Sequence, residues 1–268
     1  MNRRNPALFI GGILVAVLGV LAILGPFAVA ADPFAIDLNR ALASPGPDHW
    51  LGCDSLGRDL LARVVWGARL SIGISIAVVT VSLVIGGIVG GGAALAGGRI
   101  DVFLMRLVDI VLAFPGFLLA IALAAILGPG IGDLVVALSA MGWTSYARLV
   151  RGELLSLRER NYVEAARSLG AGGWRLLLRH LLPAVAAPLA VQATFGIGGL
   201  IVAETALSFL GLGEQPPTPS WGNMLEAGRQ FILVAPHLTI APGVAVGLAV
   251  LGFNLLGDGL AQFFGQRS

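Results

Sequence analysis

Few residues in this chain have the types and spacing that chemistry needs. The three histidines, His49, His180 and His237, lie far apart and show no metal-ligand spacing. Cys53 is the one cysteine, so no internal disulfide can form. All 17 basic residues are arginines. Without a lysine the chain cannot hold the G-x-x-x-x-G-K-[ST] loop, whose lysine reaches the β- and γ-phosphates of a nucleotide. The G-x-S-x-G elbow and the H-E-x-x-H zinc pair are also absent, which argues against an intramembrane protease. The expectation is a chain that is not an enzyme and that holds no cofactor or metal of its own. Glu204 is the exception that invites a function, because it is an acid within an apolar run. Such a group costs on the order of 2.5–3.5 kcal/mol at mid-membrane and turns toward a cavity or a partner. Both readings stay open: Glu204 lines a pathway, or it pairs with a group on a neighbouring helix. Gln192, twelve residues earlier, is expected on roughly the same face, and Asn254 is a third pathway candidate with helix packing as its competing account.

The elements that must position these residues are membrane helices. Hydrophobic residues make up 57% and charged residues 12%, against roughly 45–50% and about 25% in soluble domains. Several runs reach the ~20 apolar residues that cross ~30 Å of hydrocarbon. The expected architecture is all-α with six transmembrane helices, over Leu8–Ala30, Ser71–Ala96, Phe114–Leu127, Leu134–Val150, Ala187–Leu210 and Ile240–Leu256. Before the third, Phe103, Leu107, Ile110 and Val111 recur at helical spacing beside Arg99, Asp101, Arg106 and Asp109. That pattern predicts an amphipathic helix along the interface, turning into the membrane near Pro115. Three stretches follow: 1–31 as the first transmembrane helix, 32–70 as an extracytoplasmic segment, and 71–268 as the transmembrane domain proper. Arg3, Arg4 and Ala28-Val29-Ala30 mimic a secretory leader, but the apolar run exceeds the ~7–15 residues of a leader core, so retention is expected. Twelve of the 17 arginines fall on one side if the amino terminus is inside, and Arg40, Arg58, Arg63, Arg69 and Arg229 fall on the other. Positive charge collects in the cytoplasm, so both termini are expected there. The glycines Gly86, Gly87, Gly90, Gly91 and Gly92 form small-x-x-x-small pairs suited to close helix packing, within this chain or with another subunit.

The loop between the fourth and fifth spans holds Glu164-Ala165-Ala166, three residues, Gly170, then twelve residues before Pro183. Asn161–Leu169 and Trp174–Leu182 are expected to form two short helices, the first ended by Gly170 and the second by Pro183. Small side chains at Ala165 and Ala166 let another protein approach the backbone, and Glu164 can fix register. Four further blocks stand in order. They are His49-Trp50-Leu51-Gly52-Cys53-Asp54-Ser55-Leu56-Gly57-Arg58-Asp59, then Ala203-Glu204-Thr205-Ala206-Leu207-Ser208-Phe209-Leu210-Gly211-Leu212-Gly213, then Pro216 to Gly222, then Phe253-Asn254-Leu255-Leu256-Gly257-Asp258.

Together these blocks resemble the ABC importer permeases of the dipeptide/oligopeptide/nickel branch, specifically their C-type inner-membrane subunit, from about Asp32 to Gly259. His180 stands where the broad pattern has an aliphatic residue, as is common in this branch, and Cys53 replaces a usual threonine. The resemblance implies a pathway shared with a second, related permease. It also implies two ATPase subunits that bind ATP, an extracytoplasmic solute-binding protein, and surrounding membrane lipid in a bacterial inner membrane. The loop of Glu164, Ala165, Ala166, Gly170, Leu182 and Pro183 would then dock on the ATPase. A secondary transporter driven by an ion gradient is the alternative, and it predicts inverted repeats and broken helices around a midplane site.

Overall fold

The computed structural model describes residues 5–158, 160 and 182–265, and among these the architecture is helical, with one isolated bridge between Cys53 and Asp59. Helix α1 (Pro6–Ala28) opens on Asn5, whose side chain accepts from the Leu8 N–H at 3.3 Å, with Pro6 at its first turn. Helix α2 (Leu60–Ala96) starts eleven residues ahead of the expected Ser71 because Asp59 caps it, accepting from the Ala62 N–H at 2.8 Å. It ends at Gly97, whose φ of 63° a side chain would resist. The amphipathic helix is present as α3 (Gly98–Leu112). The chain then breaks at Phe114-Pro115 and bends by 82° into α4 (Gly116–Leu127).

Helix α5 (Ile131–Arg158) and helix α6 (Leu182–Phe209) flank the loop. The loop residues Glu164, Ala165, Ala166 and Gly170 lie outside the described residues. Pro183 falls in the first described turn of α6, and the short helix expected before it lies, apart from Leu182, outside the described residues. A proline fits there because first-turn N–H groups have no intrahelical acceptor. A short helix that the sequence reading did not anticipate, α7 (Trp221–Arg229), follows, opened by a reciprocal Ser220–Asn223 capping box. Helix α8 (His237–Gly265) completes the bundle.

Among the described residues four helices, α1, α2, α6 and α8, are long and apolar enough to cross a membrane, and α3 with α4 makes a fifth if the bent pair is one span. The fourth expected span, Leu134–Val150, lies within α5. That helix is long enough, but Ser139, Thr144 and Ser145 dilute its middle and Arg148, Arg151, Glu153 and Arg158 charge its end.

Small residues set the packing. A Cβ at Gly86 would sit 2.6 Å from the Trp143 carbonyl oxygen and from Tyr146 Cβ, and one at Gly90 would strike the Ala147 carbonyl. Helices α2 and α5 therefore meet backbone to backbone, which gives dispersion attraction its shortest range. Gly87 and Gly92 meet nothing within 4 Å. Gly11 and Gly259 make the same kind of close approach between α1 and α8, where the Asn5 side chain also donates to the Gly259 carbonyl at 3.1 Å.

Candidate functional site

At the loop end of the bundle, five side chains close a buried cluster: Ala94 from the end of α2, Val150, Leu154 and Leu157 from α5, and Val185 from α6. Arg158 donates to the Ala94 carbonyl, tying the end of α5 to the end of α2. Two ion pairs fix α3 to α5. The Arg151 guanidinium grips Asp101 through both carboxylate oxygens at 2.5 and 2.7 Å, and Arg148 donates to Asp109 at 2.6 Å. The bidentate geometry holds orientation as well as distance. At the base of the loop α5 is thus tied to both α2 and α3, and α6 packs on α2 and α5 through Val185.

At the opposite end, the segment before α2 folds into an ordered cap. Gly57, with φ of 74°, lets the chain turn so tightly that a Cβ there would strike the Asp37 carbonyl. The Asp54 carboxylate accepts from the backbone N–H groups of Leu56 and Arg58, from Arg58 Nε at 2.7 Å, and faces Arg63 Nε at 3.4 Å. Arg63 is 4% exposed and also donates to the Pro33 carbonyl at 3.0 Å. Arg40 Nη1 lies 2.7 Å from His49 Nε2, and His49 Nδ1 lies 2.7 Å from Asp59 Oδ2. A guanidinium only donates, so Nε2 is the acceptor and Nδ1–H donates to Asp59. Asp59 spends its other oxygen on the α2 cap. Cys53 is 0% exposed beneath this network, and burial, then Asp59, pushes its thiol up from the ordinary value. A protonated, enclosed thiol is inert, so Cys53 is a packing residue.

Between the two ends stands Glu204, fully buried on α6. It accepts from Ser208 Oγ at 2.8 Å through Oε1, while Oε2 has no hydrogen-bond partner among the described residues. Ser71 of α2 and Thr205 approach the same carboxyl, and both hydroxyls lack bonds of their own. Gln192 is half-buried, and twelve residues of helix turn it about 120° from Glu204, so the expected shared face is not formed. Asn254 donates to the Val250 carbonyl at 2.9 Å, and its amide stands against Gly198 of α6, in a packing position.

The cap network escaped sequence reasoning, which scored those charges for orientation and not for pairing. Its one legible signal was Asp54 and Arg58 four residues apart around Gly57. Ser220 three residues before Asn223 likewise signalled α7.

A bundle of long apolar helices with small-residue packing, a charged loop base and a polar cap has the architecture of a membrane domain. Residues 61–268 match the family described as the inner membrane component of binding-protein-dependent transport systems. The chain belongs to that family: it is a non-enzymatic permease subunit of a binding-protein-dependent ABC transporter. Among its relatives, the dipeptide transport system permease DppC of Alkalihalophilus pseudofirmus is 41% identical over 258 residues, 96% of this chain and 85% of that one. The glutathione transport system permease GsiD of Pectobacterium atrosepticum is 46% identical over 224 residues, 84% of this chain and 74% of that one. GsiD of Escherichia coli is 41% identical over 259 residues, covering 96% and 86%. Among solved structures, a chain of the MetNI methionine ABC transporter in an inward-facing form shares the fold, with a TM-score of 0.56 and 18% identity over 72% of this chain and 94% of that one. The gradient-driven alternative finds no support in these relatives.

Proposed function

We propose that this permease conducts peptides or related small solutes. It would share its pathway with a second, related permease, and two ATPase subunits would bind ATP beneath them. The dipeptide and glutathione permeases among its relatives support the solute class. The arginine balance supports cytoplasmic termini, with six crossings made by α1, α2, the α3–α4 pair, α5, α6 and α8. In this reading ATP closes the ATPase pair, the loop of Glu164, Ala165, Ala166 and Gly170 follows it, and α5 and α6 carry the motion to α2 and α3. Hydrolysis resets the pair. Coupling is reciprocal, so solute delivered by the binding protein should alter ATPase turnover. Glu204 would act on the pathway through Ser208, with Gln192 and Asn254 as weaker candidates.

The observation that carries the coupling role is the buried base at the feet of α5 and α6, where Leu154 and Val185 meet Ala94. The test is a pair of loop variants. Ala165→Trp blocks close docking, and Gly170→Val opposes a positive φ at the turn. Both should insert at normal abundance, while uptake falls by about 5- to 150-fold, the span of ordinary coupling energies. The ATPase should no longer respond to loaded binding protein. Normal uptake with a responsive ATPase in both variants would remove the coupling role.

A further inference from the structure

A cavity of about 310 Å³ opens beside the cap, walled by the start of α2, the end of α6 with its following turn, and α7. That volume lies at the small end of ligand sites, which begin near 300 Å³. Its lining carries both signs of charge: Arg58, Arg63, Glu214, Glu226 and Arg229.

Arg58 is the informative residue. It is 9% exposed, and its Nε is fixed on Asp54, but its two Nη groups have no partner among the described residues. A guanidinium held in one orientation with free donors suits a carboxylate, because its fork matches two oxygens. Arg63 lies beside it with Nη1 taken by the Pro33 carbonyl and no partner on Nη2. One Asp54 carboxylate faces both cations, so this part of the wall keeps a positive charge. Glu214 is half-buried, and its carboxylate has no partner among the described residues. It offers an ammonium a site in the same cavity. Ser208 lines the cavity too and donates to Glu204, so occupancy reaches the buried acid through one hydroxyl.

We propose that this cavity is a transit site for a small zwitterion, with the carboxylate bound by Arg58 and the ammonium by Glu214. It rests on the peptide-class reading above. The test places a reporter thiol on the wall by Ala227→Cys, an exposed lining position, in a Cys53→Ser background of the assembled complex. The rate of modification by a water-soluble methanethiosulfonate is followed with dialanine or with N-acetyl-dialanine amide. Dialanine at about ten times its dissociation constant should slow the reaction by about tenfold, and the blocked analogue should leave it unchanged. Arg58→Gln should abolish protection. Glu214→Gln, which removes no bond of the folded chain, should weaken it as well. Equal slowing by both compounds, or by neither, overturns the site, as does protection by the binding protein alone. A complex that imports and keeps its ATPase yet shows no protection sinks the cavity and spares the functional reading. A chain that purifies without an ATPase sinks that reading instead.

Discussion

Asp54 sets one carboxylate against two guanidiniums and two backbone N–H groups. The charge is what the arrangement requires, since Arg58 and Arg63 are both buried. Asp54→Asn keeps the shape and one acceptor oxygen but leaves two buried cations uncompensated. Removing one member of a buried pair costs about 3–5 kcal/mol. A thermal melt of the purified complex should therefore show a marked loss of stability, and an unchanged transition would mean that water or a partner subunit already screens these arginines. The exclusion of nucleotide chemistry came from the residues themselves, since a chain without lysine cannot build the phosphate loop. Roles that depend on pairing across thirty residues, such as Arg63 with Pro33, leave no periodic trace and were not legible.

At the scale of elements, most of the helices could be read from apolar runs, because crossing hydrocarbon imposes a length and a composition. The early start of α2 could not, since its first turns are decided by Asp59 as a cap and by Trp221, which donates from Nε1 to the Val64 carbonyl at 3.0 Å. The glycines of α2 were visible as a group, but only the fold sorts them. Gly86 and Gly90 face α5, while Gly87 and Gly92 face outward. Gly90→Leu should disrupt the α2–α5 contact by roughly 1–3 kcal/mol or more, the range of overpacked cores. Gly87→Leu should leave the isolated chain's folding intact. Membrane yield and detergent stability of the two variants provide the comparison, and equal damage from both would contradict the assignment of faces.

For the whole molecule, the decisive quantity is which end faces the cytoplasm. Ser220 would be a natural outer reporter from sequence alone, yet it is enclosed as the cap of α7. Leu233, 94% exposed on the turn before α8, is the better position, with Arg160 beside the loop as its counterpart. In a Cys53→Ser background, Leu233→Cys should react with an impermeant maleimide in intact cells, and Arg160→Cys only after permeabilisation. The reverse pattern would invert the topology. Fold class and family were legible because hydrophobic length and ordered blocks are properties of the chain. The cavity was not, since Arg58, Glu214 and Arg229 are brought together from three segments by the packing of α2, α6 and α7.

The pairing of the first helix with the last also orders events on the ribosome. Asn5 bonds to Gly259, and Gly11 receives the backbone at Leu256, residues synthesised some 250 positions later. Until α8 is made, the face of α1 at Asn5 and Gly11 lacks the helix that covers it. A nascent or truncated chain that stops short of α8 therefore leaves that face of α1 without its partner. Completion of the subunit is recorded in its own first helix.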